Sequence, residues 1–160
     1  MFDYSQNFSK LDFKRTPEIY RVGNGEQGVL LVEPYKSELL PLWKFKTPAD
    51  ARASSKALLK KFSEHLHESD FAGMDMTRKF LQMGYTRSRR YANHRSGKKY
   101  SGPVPANKKG HSGSHGRSIL PSDVDPTKAK SAEIFYRAWR KTEANAKYRS
   151  LRTEWKMWYG

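Results

Sequence analysis

Between Arg78 and Arg117 the chain carries Arg78, Lys79, Arg87, Arg89, Arg90, Arg95, Lys98, Lys99, Lys108, Lys109 and Arg117, and no Asp or Glu. A run of one sign repels itself unless a polyanion neutralises it. Phosphate backbones do this with an entropic gain from released counterions. Tyr85, Tyr91 and Tyr100 are interleaved with the cations and offer ring faces on which bases stack. These residue types in this pattern point to nucleic acid, gripped mainly through its phosphates. No base-reading motif and no RNA-binding signature is present, so the pattern does not separate DNA from RNA. Two other readings compete. A basic surface for solubility normally mixes its signs. A lipid-binding surface needs a continuous amphipathic face, which Gly and Pro interrupt here.

Other chemistry is sparse. Asp75 with Arg78, Arg87 and Arg90 would make a phosphate-handling cluster, because the planar guanidinium fork matches phosphate oxygens. Asp75 is the one candidate catalytic residue, and no nucleophile with an adjacent base is visible, so the reading leans away from an enzyme. The segment Gly23-Asn24-Gly25-Glu26-Gln27-Gly28 matches the spacing of a dinucleotide loop. That motif needs a strand before it and a helix after it. Here apolar residues that read as a strand follow, and a hairpin turn is the better account of the glycines. His111 and His115 are four residues apart in a glycine-rich stretch that will not be helical, so they make no metal pair. His65 and His67 point to different sides of their helix. No metal and no cofactor is expected.

These residues need elements to position them. Ile19 to Val32 reads as a hairpin turning at Gly23-Asn24-Gly25, and Leu39 to Phe45 as a short edge strand bent by Pro41. Thr47-Pro48-Ala49-Asp50 is a helix start, with Thr47 as cap and Pro48 at the first position. That helix runs to about His67 on the stripe Leu58, Leu59, Phe62 and Leu66. A second unit spans Gly73 to Met83 and stops at Gly84. Thr86 then caps a short basic helix, Arg87 to His94, which gives the outline of a helix-turn-helix. Ser96 to Ser122 is a loop rich in Gly, Ser, Lys and His. Asp125-Pro126 opens one long helix to about Trp158, striped by Ile134, Phe135, Ala138, Trp139, Tyr148, Leu151, Trp155 and Trp158.

The expected architecture is therefore α+β: a small N-terminal antiparallel sheet, a helical middle, a long basic loop and a long C-terminal helix. Residues 1–95 form the folded core, 96–124 the loop, and 125–160 an amphipathic helix packing on the core. The 160 residues carry a net charge of +15, of which residues 1–70 supply +1 and residues 71–160 supply +14. Apolar residues are only 36%, but 13% are aromatic, and large rings hold a small core. The absence of cysteine excludes disulfides and thiolate chemistry. Apolar runs such as Val29-Leu30-Leu31-Val32 are far short of the ~20 residues of a membrane span. Met1-Phe2-Asp3-Tyr4 has no basic then apolar stretch, so no signal peptide is expected. A cytoplasmic or nucleoid-associated protein is the expectation.

Several strings carry a resemblance. They are Phe71-Ala72-Gly73-Met74-Asp75-Met76-Thr77-Arg78-Lys79-Phe80-Leu81-Gln82-Met83-Gly84-Tyr85-Thr86-Arg87 with Arg90-Tyr91-Ala92-Asn93-His94, then Gly25-Glu26-Gln27-Gly28-Val29-Leu30, Pro34-Tyr35-Lys36, and Leu40-Pro41 to Lys46-Thr47-Pro48. Together they resemble a domain-of-unknown-function family found in tailed phages, bacteria and some fungi. The family carries no established activity, so no functional residues transfer. The resemblance implies an intracellular single-domain protein, with a phage as one source of its gene. Three functions follow as expectations: a nucleic-acid-binding protein first, then a factor that docks on an acidic host protein, then a phosphate-directed enzyme acting on a nucleotide or nucleic acid.

Overall fold

A computed structural model describes residues 2–160; Met1, the first residue of the expected 1–95 core, lies outside them. Five α-helices carry the fold: α1 (Tyr35–Leu39), α2 (Pro48–His67), α3 (Phe71–Asn93), α4 (Pro126–Ala144) and α5 (Ala146–Tyr159). Short 3-10 turns occur at Phe8–Lys10, Pro17–Ile19, Leu40–Leu42 and Ala106–Lys108. None of the helices described is long and apolar enough to cross a membrane.

Helix α3 is the axis of the molecule. Every residue from Phe71 to Leu81 is buried, which a helix achieves only when other elements cover it on all sides. Helices α2 and α4 pack along it, and the N-terminal arm wraps what remains. The core joins Leu58 and Phe62 of α2, Phe71, Met74, Phe80 and Leu81 of α3, Phe135 and Ala138 of α4, and Tyr148 of α5. Phe2, Phe13, Tyr20, Val22, Val29 and Val32 complete it from the arm. Burying side chains of this size contributes about 1.5–3 kcal/mol each, which is how a chain so rich in charge closes a core.

The expected N-terminal antiparallel sheet is absent: the described residues form no strand, only isolated bridges at His94–Asp123 and Tyr100–Ile119. The α+β expectation is corrected to an all-helical fold. The cause lies in the glycines. Gly23, Gly25 and Gly28 all take positive φ, at 66°, 57° and 79°, so the chain coils through consecutive turns. Its amides bond locally, Gln27 N to Asn24 O, Val29 N to Glu26 O and Leu31 N to Gly28 O, rather than across a hairpin. Val22, Val29 and Val32, expected in the hairpin, are buried in the core with the helices instead. Leu39 to Phe45, expected as a strand, holds the end of α1 and a 3-10 turn opened by Leu40-Pro41.

Two helix expectations change as well. No turn divides Met83 from Arg87, so the helix-turn-helix outline does not exist; α3 runs unbroken through Gly84. A Cβ on Gly84 would meet the Phe135 ring at 2.4 Å, so this glycine allows α4 to approach rather than ending a helix. The long C-terminal helix is two helices. Asn145 adopts an extended conformation, and its Oδ1 accepts the amide of Tyr148 at 3.0 Å, capping α5. The start of α2 lies where Thr47-Pro48 places it, with Thr47 Oγ1 accepting Asp50 N at 3.1 Å. The start of α4 follows Asp125-Pro126 in the same way, Asp125 Oδ1 accepting Thr127 N at 3.0 Å.

Candidate functional site

Asp75, Arg78 and Lys79 sit on successive turns of α3, at 0%, 4% and 0% exposure. Asp75 Oδ1 accepts from Arg78 Nη2 at 2.7 Å and from the Tyr148 hydroxyl at 2.6 Å, and Oδ2 accepts from the Tyr20 hydroxyl at 2.5 Å. Arg78 Nη1 also donates to Gly25 O and to Gln82 Oε1, both at 2.6 Å. Lys79 Nζ donates to Gln27 O at 2.6 Å and lies over the rings of Phe2 and Tyr20. Burial alone would raise the Asp75 carboxyl, but Arg78, Lys79 and the two hydroxyls outweigh it and hold the group below its ordinary value. Burial pushes Lys79 down to about 7, against the pull of Asp75 and with the repulsion of Arg78. Burial, and then the Asp75 charge, raises the Tyr20 and Tyr148 hydroxyls. These three charged residues therefore meet no solvent. They anchor the glycine-rich turn and α5 to α3.

That turn forms one wall of a cleft of about 1130 Å³. The second wall is the face of α3 that carries Gln82, Met83, Thr86, Arg87 and Arg90, residues that recur at helical spacing. The third is the loop between α3 and α4, which supplies Lys98, Lys99, Tyr100, His111 and Arg117. The loop is folded back on itself: Ser101 N bonds Ser118 O at 2.8 Å, Leu120 N bonds Lys99 O at 2.7 Å, and Asp123 N bonds Asn93 O at 2.6 Å. Arg95 reaches Asp123 and Asp125 at 3.5 and 3.6 Å and ties the two ends of the loop together.

The cleft collects positive charge and does little to neutralise it. Arg87, Arg90, Lys98, Lys99 and Arg117 line it, and none has a carboxylate within ion-pair distance among the described residues. Among the described residues, Glu26 is the one acid in its lining. Burial raises the Glu26 carboxyl, against a hydrogen bond from Thr86 and the pull of Arg87. Burial lowers Arg90, and the neighbouring Arg87 lowers it further; cations crowd one another here with too little anion between them. The Tyr100 ring lies 4.9 Å from the Arg117 guanidinium and 5.5 Å from the Lys99 ammonium. Across the cleft, Tyr4 stacks on His111 with centroids 4.2 Å apart.

The expected site residues thus divide. Arg87, Arg90, Lys98, Lys99, Arg117 and Tyr100 converge on the cleft. Lys108 and Lys109 are exposed on the loop, and Arg89, on α3, donates to Asn93 Oδ1 at 2.8 Å. Arg78, Lys79 and Asp75 are buried inside, and Arg95 is paired. Tyr85 packs with Tyr136 and Trp139 between α3 and α4. Tyr91 packs on Phe45 and over Gly97, where a Cβ would meet its ring at 2.4 Å. Sequence reasoning missed Tyr4, Glu26 and the wall made by the glycine-rich turn. The Gly-x-Gly spacing was a signal for that wall, since such turns expose backbone to whatever lies beside them.

A family model described as "Domain of unknown function (DUF4385)" matches residues 3–157, and the chain belongs to that family. No curated protein and no solved structure matches the chain.

Proposed function

We propose that this DUF4385 protein binds nucleic acid, gripping the phosphate backbone in the cleft between α3, the glycine-rich turn and the α3–α4 loop. The observation that carries the reading is the convergence of Arg87 and Arg90 from α3 with Lys98, Lys99 and Arg117 from the loop that folds back over it, without matching carboxylates. Crowded, unpaired cations gain most from an anion that releases its counterions on binding. Lys99 and Arg117 lie over the Tyr100 ring, which holds the two cations together at the cleft. Asp75 has no solvent access, so binding rather than turnover is the activity proposed.

Fluorescence anisotropy with labelled duplex DNA, single-stranded DNA and RNA over a salt series tests this. The expected result is a steep negative dependence of affinity on salt. Its slope should fall by about one unit for each phosphate contact removed. The absence of binding to all three at low salt overturns the proposal.

A second reading has its own observation. Met157 and Trp158 of α5 are 77% and 61% exposed beside the basic surface of that helix. Exposed apolar side chains framed by cations suit an acidic protein partner. That reading predicts a complex that survives nuclease treatment.

A further inference from the structure

The turn joining α2 to α3 brings together one imidazole and two carboxylates that lie outside the cleft. His65, on the last turn of α2, is 4% exposed. Its Nε2 lies 3.0 Å from Glu38 Oε1. A carboxylate only accepts, so the Nε2 hydrogen is directed there. The other nitrogen, Nδ1, is buried and has no hydrogen-bond partner among the described residues. It faces Asp70 Oδ2 at 3.6 Å, too far for a hydrogen bond. Two acceptors facing each other in a buried place is an unfavourable arrangement that a cation between them reverses.

The spacing suits such a cation. Ligands that each bind a zinc-class ion at about 2.0–2.2 Å stand roughly 3–4 Å from one another. Glu68 is the third partner: one ligand atom from each of His65, Glu68 and Asp70 lies within 4.8 Å of the others. Glu68 is exposed, so its side chain is free to close the remaining gap. The supporting residues are those that orient metal ligands elsewhere. Glu38 fixes the imidazole, and the Tyr35 hydroxyl donates to Asp70 Oδ2 at 2.6 Å. The α3 backbone presses on the ring at Gly73, where a Cβ would come within 2.5 Å of it. The carbonyl end of α2 adds partial negative charge, set against the N-terminus of α3, whose Gly73 amide Asp70 Oδ1 caps at 3.1 Å. Of the nearby cations, Lys61 pairs with Glu64 at 3.2 Å and lies 3.8 Å from Glu38 Oε1 on the Nε2 side of the ring, and Lys147 donates to Leu66 O.

We propose that His65, Glu68 and Asp70 bind a divalent transition cation, zinc or manganese, through His65 Nδ1 and one oxygen of each carboxylate. Water completes the shell. One imidazole with two carboxylates is a donor set such ions accept. The ion ties the end of α2 to the start of α3. Residues 73 and 87 are roughly 20 Å apart along α3 by helical rise, so this site and the cleft are tested separately.

The experiment uses full-length protein freed of metal with a chelator. His111→Ala and His115→Ala are included so that the loop histidines contribute nothing. Calorimetric titration with Zn²⁺, and separately with Mn²⁺, should show one equivalent bound and a rise in Tm. Glu68→Ala, a surface change, should weaken binding at least tenfold and leave the metal-free Tm unaltered. Tyr35→Phe should weaken it about tenfold. Nitrogen NMR should show the His65 Nδ1 resonance shifting with metal while Nε2 stays protonated. The absence of heat and Tm change with either ion at millimolar concentration overturns the proposal. So does binding that Glu68→Ala leaves untouched, or a His65 ring protonated on both nitrogens in the presence of metal, which is an imidazolium held between Glu38 and Asp70.

Discussion

Lys79 keeps its ammonium in a chamber of aromatic rings, bonded to one carbonyl and 4.0 Å from Asp75 Oδ2. Its pKa near 7, against about 10.4 in an unfolded chain, has a definite consequence. Between pH 7 and 10 the unfolded chain binds more protons at this residue than the folded one, so stability rises with pH across that window. Urea unfolding at pH 7 and pH 9.5 should show a gain for the wild type that Lys79→Met lacks; parallel behaviour of the two proteins would refute this. Above pH 10 the raised Tyr20 and Tyr148 hydroxyls act in the opposite sense. Asp75 contributes stability that is present above its unfolded value near 3.9 and lost as pH falls through its lower folded value. Asp75→Asn leaves Arg78 charged and buried without its counterion. A loss of about 3–5 kcal/mol in urea unfolding is expected. None of this burial was legible in the charges themselves, since a basic run reads as surface. The available signal was local: Asp75 precedes Arg78 and Lys79 by three and four residues, among Met74, Met76, Phe80 and Leu81 on every side of the helix.

The elements were legible where capping chemistry marks them. Thr47-Pro48-Asp50 and Asp125-Pro126 are unambiguous because only a helix start uses such residues together. Glycine is ambiguous, and that is where the reading failed. A glycine that ends a helix and one that admits a neighbouring ring look alike in one dimension. Gly84 is the second kind, and Gly23-Asn24-Gly25 turns the chain without pairing strands. Gly84→Ala tests the distinction. On helix propensity alone it should stabilise by about 1 kcal/mol. Against Phe135 at 2.4 Å, overpacking should win and cost about 1–3 kcal/mol, read as a lower Tm. Asn145 was missed as a break because apolar residues resume at three- and four-residue steps after it; the nine-residue gap from Trp139 to Tyr148, half a turn out of phase for one continuous helix, was the available signal. Asn145→Ala should cost about 0.5–2 kcal/mol in urea unfolding through loss of the α5 cap.

At the scale of the molecule, the fold sorts the cations. The acid-free run was plain in the sequence, but which members meet solvent, pair or vanish inside depends on how α3 is wrapped. Five of them face the cleft because α3 exposes one face of its C-terminal half and the α3–α4 loop folds back over it. Glu26 is the counterweight in that cleft, and Glu26→Gln should tighten polyanion binding several-fold in the anisotropy assay by removing a repulsive charge.

The central claim is that position, not total charge, carries binding, and one comparison tests it most directly. In one variant Arg87, Arg90, Lys98, Lys99 and Arg117 become Ala. In the other, Lys130, Arg137, Lys141, Arg149 and Lys156, exposed on α4 and α5, become Ala. Both lose five positive charges. Anisotropy against labelled single-stranded DNA, duplex DNA and RNA over a salt series should show the first variant losing affinity and most of its salt slope, with the second close to wild type. Equal losses in the two variants would contradict the account and reduce the cleft to one part of a diffuse basic surface.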